Sequence, residues 1–459
     1  MSAVIEDHPP APRTAPLAAG TGARAIVFDA NGAVPLGRFL GQVRALAALL
    51  PEGRHAINLC EDRYRFMLAF CAVALRGQAT LLPSSRAPAE IADEAARHAD
   101  SYCLGDRNFD PPPPRYWRLP DTLAEIAGES PSIDADALVA IGFTSGSTGA
   151  PTANRKHWDS FCTSTRQNFA ALRYLWAEGA TAHIVATVPP QHMYGMELSV
   201  LLPLLCDAAV HCGRPFFAHD IVQALHEVPA PRLLVTTPVH LRALLDACTA
   251  DPTLVAPPLA GIVSATAPMP PGLAAAAEAR FGCELREFFG STETCVIASR
   301  RSACEQAWAP FPGVQLHPQP DGCLVQAPHL AEPVALADRV ELHDDGRFEL
   351  RGRNADLLEI AGKRASLGDL TRKLQALPGV IDGVVFQLDE GPGASGVRRI
   401  AALAVAPGID ATTILAALRR SIDPVFLPRP LRCVPALPHN ATGKLPRAAL
   451  MALLQGENG

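Results

Sequence analysis

The sequence has no excess of basic residues and no long apolar run, and each absence excludes a class of protein. Its 40 Lys and Arg stand against 46 Asp and Glu, a formal net charge of −6, whereas nucleic-acid-binding proteins usually carry a basic surface. The longest apolar stretch, residues 198–210, is interrupted by Pro203 and Asp207, and a membrane-spanning helix needs about 20 mostly apolar residues. These absences favour a globular enzyme with no nucleic-acid partner and no membrane span.

The 12 cysteines form no CxxC pair, and the first 20 residues hold no basic start followed by an apolar stretch. Scattered cysteines in a chain of 459 residues indicate reduced thiols rather than a disulfide framework or a zinc site. Residues 1–20 are rich in Pro and Ala and lack the pattern of a secretory signal. We therefore expect a loose N-terminal tail and a cytoplasmic location.

Short apolar strands alternate with helix-like stretches over most of the chain. This alternation predicts an α/β domain with mostly parallel, buried sheets. A helix is predicted at residues 65–75. The predicted strands lie at residues 56–59, 79–82, 183–187, 233–236 and 261–264.

The pattern changes after about Gly352. Strands are predicted at residues 384–388 and 400–405, with helices at residues 411–422 and from Arg447 to near the end, which indicates a small α+β domain. The expected divisions are a tail over residues 1–20, a large domain over residues 21–352 and a small domain over residues 353–459.

A stretch rich in glycine and hydroxyl residues directly follows the apolar residues 138–141. Its backbone N–H and side-chain O–H groups can turn onto phosphate oxygens. A Walker loop would end in Gly-Lys-Ser/Thr, whereas Ala150 and Pro151 follow here. On these residues alone, a flexible linker is the alternative. The candidate phosphate-binding residues are Thr144, Ser145, Gly146, Ser147, Thr148 and Gly149.

This stretch resembles the phosphate loop of the acyl-adenylate-forming superfamily, which includes acyl-CoA synthetases, adenylation domains of nonribosomal peptide synthetases and firefly luciferases. The family usually has a lysine where this chain has Thr152, and Lys156 follows four residues later. The resemblance runs in family order from Phe143 to Lys444. It implies a large N-terminal domain that binds ATP and an acid, and a small, mobile C-terminal lid domain.

Residues 288–293, Phe-Phe-Gly-Ser-Thr-Glu, resemble the family's aromatic-Gly-x-Thr-Glu motif. The resemblance implies that Thr292, beside Ser291, contacts phosphate and that Glu293 holds Mg²⁺. Mg²⁺ takes carboxylate and phosphate oxygens as ligands and neutralises charge on a leaving pyrophosphate. Taken alone, Glu293 could equally be a solvated helix cap.

Three further segments resemble the family's nucleoside-binding motifs. Residues 264–268 are similar to its adenine-facing turn, with a plain strand-to-helix turn as the alternative. In the family an Asp and an Arg bind the ribose hydroxyls, and a carboxylate can accept from both hydroxyls. Ala355 replaces the family's hinge aspartate, although a hinge needs backbone freedom more than one side chain. The residues implied at adenine and ribose are Ser264, Ala265, Thr266, Asp338 and Arg353.

Lys444 ends a Pro-x-x-x-x-Gly-Lys pattern whose lysine, in the family, bridges the acid and the phosphate. Its ammonium would stabilise charge shared by carboxylate and α-phosphate as they join. Residues 188–195 resemble the family's segment beside the acid. His192 would meet the carboxylate and Met193 or Tyr194 would wall an aromatic ring, although a core Met and a capping His are the alternative. Gly290 completes the expected acid pocket.

The resemblance thus implies a ligase that uses ATP and Mg²⁺ to adenylate an acid and passes the acyl group to a thiol. Residues 142–148, 190–195 and 213–217 are similar to the AMP-ligases of aryl polyene and xanthomonadin pigment clusters, which load a hydroxybenzoate-type acid onto an acyl carrier protein. Residues 354–459 hold 12 Lys and Arg against 9 Asp and Glu, which suits an acidic carrier. A CoA ligase would share every motif. A non-catalytic binding module is a further alternative, suggested by Thr152 and Ala355.

Overall fold

The structure is a computed structural model. By its internal contacts the chain divides into two compact units, residues 1–304 with residues 328–331, and residues 305–327 with residues 332–459. The residues that the structure describes are 13–29, 32–83, 86–145, 151–353, 357–360, 363–388, 399–440 and 443–456.

The first unit alternates strands and helices. Its strands are β1 Thr14–Pro16, β2 Ala25–Asp29, β3 Gly32–Pro35, β4 His55–Asn58, β5 Ala79–Leu82, β6 Ser101–Gly105, β7 Tyr116–Arg118, β8 Ser132–Asp134, β9 Leu138–Ser145, β10 Pro151–His157, β11 Ala182–Ala186, β12 Ala208–His211, β13 Arg232–Thr236, β14 Gly261–Ser264, β15 Glu284–Ser291 and β16 Cys295–Arg300. Its helices are α1 Leu36–Leu49, α2 Arg63–Leu75, α3 Pro88–Arg97, α4 Trp158–Leu172, α5 Met193–Met196, α6 Leu202–Leu205, α7 Ala218–Glu227, α8 Pro238–Ala250 and α9 Pro271–Phe281, with a 3₁₀ turn at Arg173–Leu175 and a π-helical turn at Glu197–Leu201.

The larger sheet of this unit is mostly parallel. Its strands follow the order β16-β15-β14-β13-β11-β12-β2-β3. The pairs from β15 to β2 are parallel, while β16 and β3 pair antiparallel with their neighbours. Strands β11, β12 and β14 are buried along their whole length, and apolar side chains of α7, α8 and α9 pack on the sheet. Burial on both faces is why these strands are apolar without alternation.

The smaller sheet carries the strand that leads into the predicted phosphate loop. Its order is β10-β9-β5-β4-β6-β7, and β10 alone runs antiparallel to its neighbour. Ile57, Leu81, Ile141 and Phe143 belong to one buried cluster on this sheet. That cluster fixes β9 up to the point where the loop begins.

The second unit is built from short sheets and three helices among the described residues. Strand β26 pairs antiparallel with β25 and parallel with β27, and β21 pairs antiparallel with β22. The elements are β17 Ala309–Pro310, β18 Gln315–Gln319, β19 Gly322–Gln326, β20 Val334–Leu336, β21 Asp338–Leu342, β22 Phe348–Arg353, β23 Leu357–Ile360, β24 Lys363–Ser366, α10 Leu367–Gln375, β25 Asp382–Gln387, β26 Ile400–Val405, α11 Ala411–Leu418, a 3₁₀ turn at Pro424–Phe426, β27 Leu431–Cys433 and α12 Arg447–Gln455.

The predicted fold class, α/β with mostly parallel sheets, is confirmed, and the predicted strands appear within one or two residues of their expected positions. Helix α11 ends at Leu418 rather than at residue 422. Residues 14–18 of the predicted tail are ordered into the first unit, since β1 pairs with β8 and Leu17 and Ala18 are buried. The predicted boundary between a large domain ending at residue 352 and a small lid domain beginning at residue 353 stays a prediction.

Candidate active site

A small pocket in the first unit brings together three of the sequence motifs. The strand before the phosphate loop, the predicted acid segment and the turn after β15 all contribute to its wall. Their close approach requires glycine at position 142, because a Cβ atom there would lie 2.7 Å from Cγ2 of Thr292. The lining residues are Leu82, Pro83, Gly142, Phe143, Gln191, His192, Met193 and Thr292.

The predicted phosphate loop begins at the end of β9. Thr144 and Ser145 are the last residues of that strand, and Thr144 lies opposite Thr152 of β10. The Asn154 amide donates to Oγ1 of Thr144 at 3.4 Å and to the carbonyl oxygen of Thr152 at 3.2 Å. The remaining loop residues, Gly146, Ser147, Thr148 and Gly149, lie outside the described residues, so their contact with phosphate stays a prediction.

The residues predicted to bind metal and phosphate lie in a hairpin turn. Ser291 ends β15 and Cys295 begins β16, so Glu293 is in a β-turn region and does not cap a helix. Two hydrogen bonds close the turn: the Ser291 N–H donates to Oγ1 of Thr294, and the Thr294 N–H donates to Oγ of Ser291, both at 3.2 Å. Thr292 and Glu293 are half-buried between them. Gly290 precedes the turn and does not line the pocket, but a Cβ atom there would lie 2.2 Å from the Cys295 carbonyl oxygen.

The predicted acid segment contributes two of its three named side chains to the pocket. His192 and Met193 line it, whereas Tyr194 is 8% exposed and donates its hydroxyl to the Val263 carbonyl oxygen at 2.9 Å. Burial raises the pKa of Tyr194 well above its usual value, so the phenol stays protonated. Tyr194 therefore fixes the segment to β14 rather than walling this pocket.

The predicted adenine turn begins at the C-terminal end of β14. Ligands of open parallel sheets bind outside the carboxyl ends of the strands, which is where this turn lies. Ser264 is fully buried, and its Oγ finds no hydrogen-bond partner among the described residues. Ala265 is also buried, and Thr266 adopts a left-handed backbone conformation with φ of 78°. The turn is thus a distinctive structure, and its contact with adenine stays a prediction.

The two residues predicted at the ribose are brought together within the second unit. Asp338 is the first residue of β21 and lies directly opposite Arg353, the last residue of β22. Asp338 is half-buried. Pairing across two strands places them as neighbours although 15 residues separate them in the chain. Ala355, the residue at the expected hinge, lies outside the described residues.

Lys444 is an exposed residue of the second unit whose backbone is hydrogen-bonded to Asn440. Its backbone N–H donates to Oδ1 of Asn440 at 2.9 Å, and its carbonyl oxygen accepts from the Asn440 N–H at 2.8 Å. His439 contacts the Gly443 carbonyl oxygen with Nδ1 and Oδ2 of Asp382 with Nε2, at 3.0 and 2.8 Å. The loop is therefore joined to β25 while the lysine side chain faces solvent.

Two residues near Glu293 carry contacts that the sequence did not predict. Lys156 is 3% exposed and its Nζ donates to the Glu293 carbonyl oxygen at 2.8 Å. It lies four residues beyond Thr152 on β10, about 13 Å along the strand, and its ammonium binds the hairpin. Glu197 accepts the Val296 N–H at 3.1 Å, and burial raises its pKa to about 7. The position of Glu197 directly before the apolar residues 198–210 is the only feature of the sequence that points to a buried carboxylate.

The residues present fit a magnesium ion that arrives with a nucleotide. Among the described residues no group of three or more His, Cys, Asp or Glu side chains could hold a metal. Mg²⁺ commonly uses one or two carboxylates together with substrate phosphates and waters. Glu293 beside Thr292 meets that need.

No described helix is long and apolar enough to span a membrane.

Comparison with known proteins agrees with the motifs. Residues 52–345 match the family model described as AMP-binding enzyme. A 4-coumarate–CoA ligase of Rhodobacter capsulatus is 31% identical over 247 residues, 54% of this chain and 60% of that protein. The 4-coumarate–CoA ligase of Halorhodospira halophila is 28% identical over 322 residues, 66% of this chain and 73% of that protein. The match thus spans less than two thirds of the Rhodobacter relative.

Solved structures share the fold over almost the whole chain. The ATP-bound RpMatB-BxBclM chimera superposes with a TM-score of 0.78 and 16% identity, covering 96% of this chain and 98% of the other. Identity at this level shows the fold alone, whereas the family model covers more than half of the sequence. The chain therefore belongs to the AMP-binding enzyme family.

Proposed function

We propose that the chain is an ATP-dependent ligase that adenylates an aromatic carboxylic acid and transfers the acyl group to a thiol. The observation that carries the proposal is the single pocket at which β9, the His192–Met193 pair and Thr292 meet. This pocket joins the start of a phosphate loop, a candidate acid contact and a candidate phosphate contact. A family member needs these three parts within reach of one another, because the two reacting anions must be held together.

In the first step, a carboxylate oxygen of the acid attacks the α-phosphorus of ATP. A new P–O bond forms, the bond to the β-phosphate breaks, and pyrophosphate leaves with that electron pair. Thr144 and Thr292 bind phosphate, and the Lys444 ammonium stabilises the shared negative charge. Glu293 would hold Mg²⁺, which neutralises phosphate charge when bound.

In the second step, a thiol sulfur attacks the acyl carbon and loses its proton to solvent: a C–S bond forms, the acyl C–O bond to the phosphate breaks, and AMP leaves with that electron pair. We propose that the small C-terminal domain, residues 353–459, rotates between the steps so that Lys444 withdraws. Hinge closure of this kind commonly separates steps in ligand-binding enzymes. Asp338 and Arg353 bind the ribose through both steps, and Ser264, Ala265 and Thr266 face the adenine.

An aromatic acid suits the pocket wall. Phe143 and Met193 provide flat and polarisable apolar surface, and His192 lines the same pocket, where we propose that it meets the carboxylate. The two relatives described above are 4-coumarate–CoA ligases, and 4-coumarate is an aromatic acid. A hydroxybenzoate-type acid, as in the pigment-cluster ligases that three segments resemble, is our specific proposal.

For the acceptor we propose the phosphopantetheine thiol of an acyl carrier protein. The excess of basic residues in residues 354–459 supports an acidic partner. CoA is the second candidate, favoured by the names of the two relatives. The test supplies ATP, Mg²⁺ and 4-hydroxybenzoate with equal concentrations of CoA and a holo-carrier protein. Acylated carrier protein as the main product supports the proposal. Acyl-CoA as the main product shows that CoA is the acceptor instead. If no aromatic acid tested gives acyl-AMP, the adenylation itself is contradicted.

A further inference from the structure

Two of the buried charged side chains of the first unit, Lys156 and Glu197, contact the hairpin that carries Glu293 but have no role in the proposed reaction. Lys156 is 3% exposed and Glu197 is 1% exposed. Burying an ion is costly unless the ion is paired and hydrogen-bonded. Lys156 lies on β10 and Glu197 opens the π-helical turn, yet both contact the backbone of the hairpin that carries Glu293.

Three buried side chains hold this backbone at successive points. Lys156 Nζ donates to the Glu293 carbonyl oxygen at 2.8 Å. His329 is 4% exposed, and its Nε2 donates to the Thr294 carbonyl oxygen at 2.7 Å. The Glu197 carboxylate accepts the Val296 N–H at 3.1 and 3.3 Å.

The hairpin needs such support because its backbone bends sharply. Cys295 has φ of 59°, a left-handed conformation that residues with a Cβ atom rarely adopt. Conformations of this kind persist only where the surroundings fix them. The contacts at Glu293, Thr294 and Val296 lie directly on either side of Cys295 and supply that constraint.

Lys156 and Glu197 hold neighbouring residues of the same hairpin. Burial raises the pKa of Glu197, while its hydrogen bonds and the positive charge of Lys156 oppose that rise. Asn168 donates to Oε1 of Glu197 at 3.0 Å, which completes the polar surroundings of the carboxylate. Each of the two side chains thus holds a different residue of the hairpin through its own hydrogen bond.

We propose that Lys156 and Glu197 are positioning residues for the magnesium ion: they fix the backbone from Glu293 to Val296 and thereby hold the Glu293 carboxylate where Mg·ATP binds. The inference rests on the proposed function, which assigns the ion to Glu293. Groups that orient a metal ligand from behind typically change metal affinity by about 10–100-fold when they are removed.

The test measures metal affinity directly, with Mn²⁺ as a paramagnetic probe titrated into the protein with ATP. K156M keeps the length of the side chain and removes the donor, so Mn²⁺ affinity should fall about tenfold, while ATP affinity in EDTA should change less than about twofold. K156R retains a cationic donor and should restore most of the affinity. R155M is the matched control, since Arg155 neighbours Lys156 on β10 but is exposed.

E197Q tests the second member of the pair with the same titration. It should also weaken Mn²⁺ binding, and K156M/E197Q should weaken it less than the product of the two single effects, because both side chains act on the same hairpin backbone and such effects are not additive. A K156M protein that melts like R155M and binds Mn²⁺ with ATP like the wild type overturns the inference. If K156M does not fold, an E197Q protein that binds Mn²⁺ with unchanged affinity overturns the inference. A wild-type protein that takes up no Mn²⁺ with ATP overturns the proposed function instead.

Discussion

The proposed chemistry depends on two charged side chains whose backbones are fixed while the side chains stay accessible. Lys444 is exposed on a loop that Asn440 and His439 hold to β25. Glu293 is half-buried in a hairpin turn whose carbonyl group is held by Lys156. A fixed backbone reduces the conformational freedom that a side chain loses on binding. Both residues are therefore prepared to bind charge.

Lys444→Ala should suppress the first step and spare the second. Removing a group that stabilises charge only in the transition state typically costs about 10²–10³ in rate, so acyl-AMP formation should fall by that factor. Transfer from preformed acyl-AMP to the thiol should continue. Single-turnover assays of each step measure this, with Lys373→Ala as a surface control. Equal loss of both steps would refute the assigned role.

Glu293→Gln should raise the Mg²⁺ concentration needed for half-maximal adenylation by at least about tenfold, as expected when a metal ligand loses its charge. The substitution keeps the size of the side chain, so the hairpin should fold normally. Initial rates across a Mg²⁺ series at saturating acid measure the shift. Glu129→Gln, on an exposed residue, should leave the Mg²⁺ dependence unchanged. An unaltered Mg²⁺ dependence in Glu293→Gln would contradict the assignment of the ion to Glu293.

The elements around the site differ in how far the sequence predicts them. Strands such as Gly261–Ser264 are continuous apolar runs because both faces are buried, and such runs are visible in a single sequence. Strand β10, Pro151–His157, is polar and antiparallel, so no apolar run indicates it. Periodicity therefore predicts buried parallel strands well and an antiparallel edge strand poorly.

Site residues follow the same division. Thr292, His192 and Met193 belong to local motifs, and the structure brings them to one pocket. Lys156 acts on a residue 137 positions away, and no local pattern indicates such a contact. Met193 or Tyr194 is predicted to wall an aromatic ring, and Met193 lines the pocket while the Tyr194 hydroxyl binds the backbone of β14. A motif identifies candidate residues, and the tertiary contacts decide which side chains are free to bind.

Gly290→Ala tests the hairpin as an element. The new Cβ atom would lie 2.2 Å from the Cys295 carbonyl oxygen, so β15 and β16 must separate locally at a cost of about 1–3 kcal/mol. We expect a lower melting temperature and weaker Mg²⁺-dependent adenylation together. Gly272→Ala is the control, because its Cβ atom meets nothing within 4 Å and it lies in α9. Equal stability of the two variants would contradict the packing argument.

At the scale of the whole molecule, the two units divide the proposed work. The first unit carries the phosphate-loop strand, the acid segment and Glu293, and the second carries Asp338, Arg353 and Lys444. Among the described residues, those assigned to the proposed reaction are therefore divided between the two units. The proposed reaction thus draws residues from both units, and the movement of residues 353–459 between its two steps stays a prediction.

The most direct test of the account is acid-dependent exchange of radiolabelled pyrophosphate into ATP, because it reports the first step without any acceptor. The panel should contain hydroxybenzoates, cinnamates and fatty acids, with Lys444→Ala as the inactive reference. We predict Mg²⁺-dependent exchange with hydroxybenzoates and none with alkyl acids. Exchange confined to alkyl acids would contradict the aromatic substrate. No exchange with any acid, from a folded protein that binds ATP, would contradict adenylation as the function of this chain.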